Sequence, residues 1–133
     1  VKHTIIAIDP SENRYGTVGD WMFAENGDIL VTTTKCGNAD SEFLVAIHEL
    51  IEAYLCLREG ITEEEVNAWD VNNPYLEEPG DSRNAPYHRQ HAIAMRTEKF
   101  LADLMRVDWE QHQQKVENTA NEVDREIAKK PEI

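Results

Sequence analysis

A chain of 133 residues is the length of one domain and too short for two with separate cores. Hydrophobic residues make up 41% of it and charged residues 29%, with six Gly and five Pro, which excludes a disordered or collagen-like chain. Acidic residues outnumber Lys plus Arg by 26 to 13, a formal charge of −13, so nucleic-acid and anionic-membrane partners are not expected. Such acidity keeps a protein soluble or suits a cationic partner.

No apolar run reaches the roughly 18 residues of a membrane span, and no signal-peptide pattern opens the chain. Cys36 and Cys56 are the only cysteines, too few for a secreted disulfide framework, so a reducing, cytoplasmic setting is expected.

The first 35 residues read as β. His3 to Ile8 is a short β-rich run stopped by Asp9-Pro10, and a polar loop through Gly16 and Gly19 follows. Trp21 to Glu25, then Asn26-Gly27, then Asp28 to Thr34 has the pattern of a hairpin with a type I′ turn, which needs positive φ at both turn residues. The period then changes to helical. Asp40 or Ser41 is a predicted N-cap and Gly60 a C-terminal stop, with Leu44, Ile47, Ile51, Tyr54 and Leu55 at helical spacing between them. Thr62-Glu63-Glu64-Glu65 is a capping box, with Ile61 and Val66 as its hydrophobic staple, for a short helix ending near Asp70.

From Glu59 to Ser82 there are eight acidic residues and no Lys or Arg, and residues 71–86 carry Pro74, Pro79, Gly80 and Pro86, the composition of an irregular acidic loop. Pro86 fits the first turn of a long helix to about Arg106, and Asp108 caps a last helix that Pro131 ends. The order predicts an α+β fold: a three-stranded sheet containing a β-hairpin, then three to four helices packed on one face. Residues 1–107 are expected to form the domain body. Residues 108–133 form an amphipathic helix with Trp109, Val116, Ala120, Val123 and Ile127 as its thin apolar stripe, which either packs along the domain or pairs with a second copy of the chain.

The chemistry concentrates in His48-Glu49-Leu50-Ile51-Glu52. On a helix, His48 and Glu52 project side by side, the geometry by which two ligands chelate one metal, and Glu49 lies about 100° round. The pair sits in an apolar stripe with Leu44, Ile51 and Leu55, where an unpaired carboxylate or imidazole is costly. An ion pair at the edge of the core would give the same pattern. On the second long helix His91, Ala94, Glu98, Leu101 and Met105 share one face, so His and Glu again occupy an apolar stripe; His88 is one turn earlier. A buried polar network without metal is the alternative. His112 is expected to be irrelevant to the metal and to stability, and Cys56 to be a small core hydrophobe rather than a ligand.

The β-hairpin leading into a helix with His48-Glu49-x-x-Glu52 resembles the zincin metallohydrolases, whose active helix reads His-Glu-x-x-His. The layout as a whole also resembles short bacteriophage proteins, through Tyr15-Gly16-Thr17-Val18-Gly19-Asp20-Trp21, His48 to Ala53, Glu78-Pro79-Gly80-Asp81, Ala85 to His91 and Val107-Asp108-Trp109. A phage origin would place the chain in the cytoplasm of the host cell.

The zincin resemblance implies a minimal zincin-like core holding one Zn²⁺ per chain, with His48 as first ligand and Glu49 as the base that activates water. The second ligand falls at Glu52, where the family has His; carboxylate oxygen is an acceptable zinc donor. His91 is the expected third ligand, with Glu98 in support or as a fourth, and His88 and Asp70 as alternatives. The expected activity is zinc-dependent hydrolysis of a peptide, amide or ester bond. Its rival is a non-catalytic, phage-type binding protein with a structural metal or a buried His/Glu network.

Overall fold

The computed structural model describes residues 1–76 and 78–131; Glu77 of the acidic loop, and Glu132 and Ile133 at the end of the C-terminal segment, lie outside them. Three strands, β1 (His3–Ile8), β2 (Gly19–Phe23) and β3 (Ile29–Thr34), form one mixed sheet in the order β1-β3-β2. β2 and β3 are the antiparallel hairpin, with Gly19, Trp21 and Phe23 opposite Thr33, Val31 and Ile29, while β1 runs parallel to β3. Alternation places Trp21, Ile29 and Val31 on the buried side.

The hairpin turn differs from the predicted one. Gly27 has φ 85° but Asn26 is not in the left-handed region, the Gly27 amide donates to Ala24 O at 2.9 Å, and the Ala24 amide donates to Asp28 O at 2.8 Å. This is a three-residue loop in which Gly27 forms the bulge, so one glycine suffices where a type I′ turn would need two left-handed residues.

Four helices follow: α1 (Ala39–Glu59), α2 (Glu63–Asn72), α3 (His88–Leu104) and α4 (Trp109–Ala128). Three of the predicted ends hold. Gly60 closes α1 with φ 76°, the Thr62/Glu65 capping box opens α2, and Asp108 accepts from the Gln111 amide at 2.9 Å to open α4. Two do not. The N-cap of α1 is Asn38, whose Oδ1 accepts from the Ser41 amide at 3.0 Å; the Ser41 hydroxyl is spent elsewhere, on His112. Pro86 stands outside α3, whose cap is Tyr87, because the buried Tyr87 ring and its hydroxyl bond to Asp70 (2.6 Å) fix the chain one residue later.

The fold is α+β, and α1 is its centre. One side of α1 packs on β2 and β3, with Trp21, Val31, Ala53, Cys56 and Val66 in the shared core; α3 packs along α1, and α4 touches both. The corner between α3 and α4 is tight: Val107 donates to Ala102 O (2.9 Å) and Arg106, at φ 60°, to Asp103 O (3.0 Å). That corner folds α4 back so that its first turns face the second half of α3. Among the described residues no helix is long and apolar enough to cross a membrane.

Candidate metal centre

α1 brings His48 and Glu52 to one edge because they are one turn apart, and α3 crosses there with His91. The atoms His48 Nε2, Glu52 Oε2 and His91 Nδ1 converge. Glu52 Oε2 is 3.2 Å from His48 Nε2 and 2.9 Å from His91 Nδ1, and one donor atom from each of the three residues lies within 4.8 Å of the others. All three residues are buried. Zinc bonds of about 2.0–2.1 Å in a tetrahedron separate neighbouring donors by about 3.3 Å, so the group fits such an ion with small side-chain rotations.

The far atom of each side chain is also held. His48 Nδ1 is 2.8 Å from Glu98 Oε1, His91 Nε2 is 3.1 Å from Asp81 Oδ1, and the Trp21 indole N–H donates to Glu52 Oε1 at 3.0 Å. A carboxylate on the outer nitrogen of each histidine fixes its tautomer and raises its basicity, the usual outer partner of metal-binding imidazole. Gly80 backs His91: a Cβ there would lie 2.5 Å from the ring, so only glycine lets the loop press against it.

Burial alone would strip the proton from His48, but its bonds to Glu52 and Glu98 outweigh that and hold its pKa well above the ordinary value. His91 is raised in the same way, chiefly by Glu52 against burial. Burial would raise the Glu52 pKa, yet the two histidines bring it down to about 2. A cation binding between these three side chains would compete with the protons that Glu52 favours on the two histidines.

A cavity of about 540 Å³ opens on this group, between the Tyr15–Trp21 segment, α1, the segment after α2, and α4. Glu49 lines it, packed over Gly19, where a Cβ would lie 2.5 Å from the carboxyl group. Burial, reinforced by the negative charge of Glu52, pushes the Glu49 pKa well above the usual carboxylate range. Asp20, Glu49, Glu52, Asp70 and Glu78 all border the cavity, and among the described residues no Lys or Arg does.

The fold thus brings His48, Glu49, Glu52, His91 and Glu98 together. His88 points elsewhere: its Nδ1 bonds the Gly80 carbonyl at 2.9 Å. Asp70 borders the same cavity but accepts from the Tyr87 hydroxyl. Cys56 is fully buried beside apolar side chains, and burial pushes its thiol up to about 12.

The structure places His112 in the buried polar network, which the expectation of a residue without bearing on stability did not foresee. Its ring is buried, with Nε2 donating to Glu98 Oε2 at 2.6 Å and Nδ1 at 2.9 Å from the Ser41 hydroxyl. α4 therefore lies along the domain and shares its polar core. A signal for this was present: His112 fills the gap between Trp109 and Val116 in the α4 stripe, at spacings of three and four. Asp81 and Trp21 carry no comparable local signal.

Compared with protein-family models, with curated proteins and with solved structures, the chain finds no match.

Proposed function

We propose that this chain is a zinc-dependent hydrolase of amide, peptide or ester bonds, with His48, Glu52 and His91 holding one ion and Glu49 acting as the base. The observation that carries the reading is the convergence of His48 Nε2, Glu52 Oε2 and His91 Nδ1 on one point at the wall of a cavity that Glu49 also lines. Three protein donors facing open space make a catalytic rather than a closed, structural arrangement. The zincin resemblance covers only the strand and helix around His48, and His91 lies outside it.

Bound zinc would supply a Lewis acid for the scissile carbonyl and acidify water at the site. Glu49, with its raised pKa, is suited to take a proton from the attacking water and return it to the leaving group. Trp21 and Asp81 hold Glu52 and His91, and Glu98 holds His48, in the orientation in which they would bind the ion. The carboxylate-lined cavity disfavours anionic substrates and suits neutral or cationic ones.

A non-catalytic reading has one observation in its favour: among the described residues, no buried side-chain N or O atom lacks a hydrogen-bond partner even without an ion. Elemental analysis of purified, unstripped protein separates the two, with one zinc per chain expected. Less than a tenth of an equivalent of any transition metal would refute the zinc reading. Chelation should abolish hydrolysis of a peptide and ester panel and zinc should restore it; activity that survives chelation would refute it as well.

A further inference from the structure

We propose that His112 on α4 is a positioning residue for the metal centre, acting through Glu98 on His48. The inference rests on the reading of His48 as a ligand. It starts from a closed circuit of side chains: Ser41 Oγ to His112 Nδ1 (2.9 Å), His112 Nε2 to Glu98 Oε2 (2.6 Å), and Glu98 Oε1 to His48 Nδ1 (2.8 Å). Ser41 and His48 are both on α1, two turns apart and therefore on one face, so α1 itself closes the circuit. Three helices are tied by three hydrogen bonds, and all four residues are buried.

The circuit controls orientation. A glutamate carboxylate turns easily about its last bond. Glu98 cannot, because each oxygen is engaged by a histidine on a different helix, Oε1 by His48 on α1 and Oε2 by His112 on α4. With Glu98 fixed, the N–H at His48 Nδ1 has one place to point, and Nε2 is left aimed at Glu52 Oε2. Remove His112 and Glu98 loses the partner for Oε2. It is then free to rotate, and the orientation of His48 is no longer determined. A purely structural role is a poor explanation for this group, because apolar residues of similar volume fill a core at least as well as a buried charged set.

The test compares His112→Leu, His112→Gln, Ser41→Ala and Val123→Ala in the full chain. It reads zinc affinity by competition with a chromophoric chelator, and the imidazole ¹⁵N shifts of His48 in zinc-free protein. His112→Leu should weaken zinc by about ten- to a hundredfold and move the His48 ring signals. His112→Gln, which can donate to Glu98 and accept from Ser41, should recover most of both. Val123 is a fully buried α4 position outside the circuit, so Val123→Ala should lower the melting temperature while leaving zinc affinity and the His48 signals unchanged. A folded His112→Leu with parental affinity and unmoved His48 signals would overturn the proposal. If His112→Leu does not fold, Ser41→Ala takes its place: a smaller loss of affinity with shifted His48 signals supports the circuit, and no change in either overturns it. Should the parent chain take up no zinc, the metal reading fails separately, and the His48 signals alone decide whether His112 positions that ring.

Discussion

Glu52 and Glu98 are both buried carboxylates, each clasped by two histidines with His48 shared between them, yet they are used differently. Glu52 presents one oxygen, Oε2, to both His48 (3.2 Å) and His91 (2.9 Å), and gives Oε1 to Trp21. Glu98 gives one oxygen to each histidine, Oε1 to His48 and Oε2 to His112. One oxygen shared by two nitrogens creates a convergent point that a cation can fill. Two oxygens serving two nitrogens make a bridge, which transmits position but leaves no common centre. Residue type and burial are the same in both; the arrangement of atoms separates a site from its support.

The sharpest way to break this comparison is to exchange the losses. Glu52→Leu should weaken zinc binding by more than about a hundredfold, beyond the effect of losing an outer partner, and it should also cost stability, because it leaves the buried Trp21 indole N–H, His48 Nε2 and His91 Nδ1 without their acceptor. Glu52→His should retain zinc. Equal affinity of the parent and Glu52→Leu, by titration of stripped protein, would refute direct ligation.

Glu98→Leu should spare more of the zinc affinity than Glu52→Leu. It leaves His48 Nδ1 and the buried His112 without an acceptor, so denaturant unfolding should report a loss of about 3–5 kcal/mol, as for breaking a buried pair. Zinc should weaken by only about ten- to a hundredfold. A loss of zinc affinity as large as that of Glu52→Leu would show that the two carboxylates do not differ as site and support.

Glu49→Gln keeps the volume of the side chain beside Gly19 and removes the base. Zinc content should persist while hydrolysis of a working substrate falls by about 10²-fold; hydrolysis at the parental rate would show that the assigned role is wrong. The smallest effect belongs to Asp81→Ala. Its carboxylate is 64% exposed, so its bond to His91 is weakened by solvent and should be worth about 0.2–1 kcal/mol, no more than about fivefold in zinc affinity. A loss comparable to that from His112→Leu would mean that the His91 side of the centre is supported as firmly as the His48 side.

What the sequence determined by itself was local. The capping box at Thr62, the stop at Gly60, the cap at Asp108 and the pairing of His48 with Glu52 all depend on residues within about one turn, where backbone geometry alone sets who meets whom. Even there, competition mattered: Ser41 is a good cap by type, but its hydroxyl bonds His112, and Asn38 caps α1 instead. The choice between His88 and His91 could not be local, since both lie on inward turns of α3. The helix's rotation against α1 aims one at Glu52 and the other at the Gly80 carbonyl. Tertiary structure also decided the roles of Glu98 and His112, through contacts between residues 50 and 14 positions apart across packed helices. A heptad pattern records that a face is buried. Which oxygen of a carboxylate each neighbour receives is fixed only when the helices are docked and every buried donor has to find an acceptor.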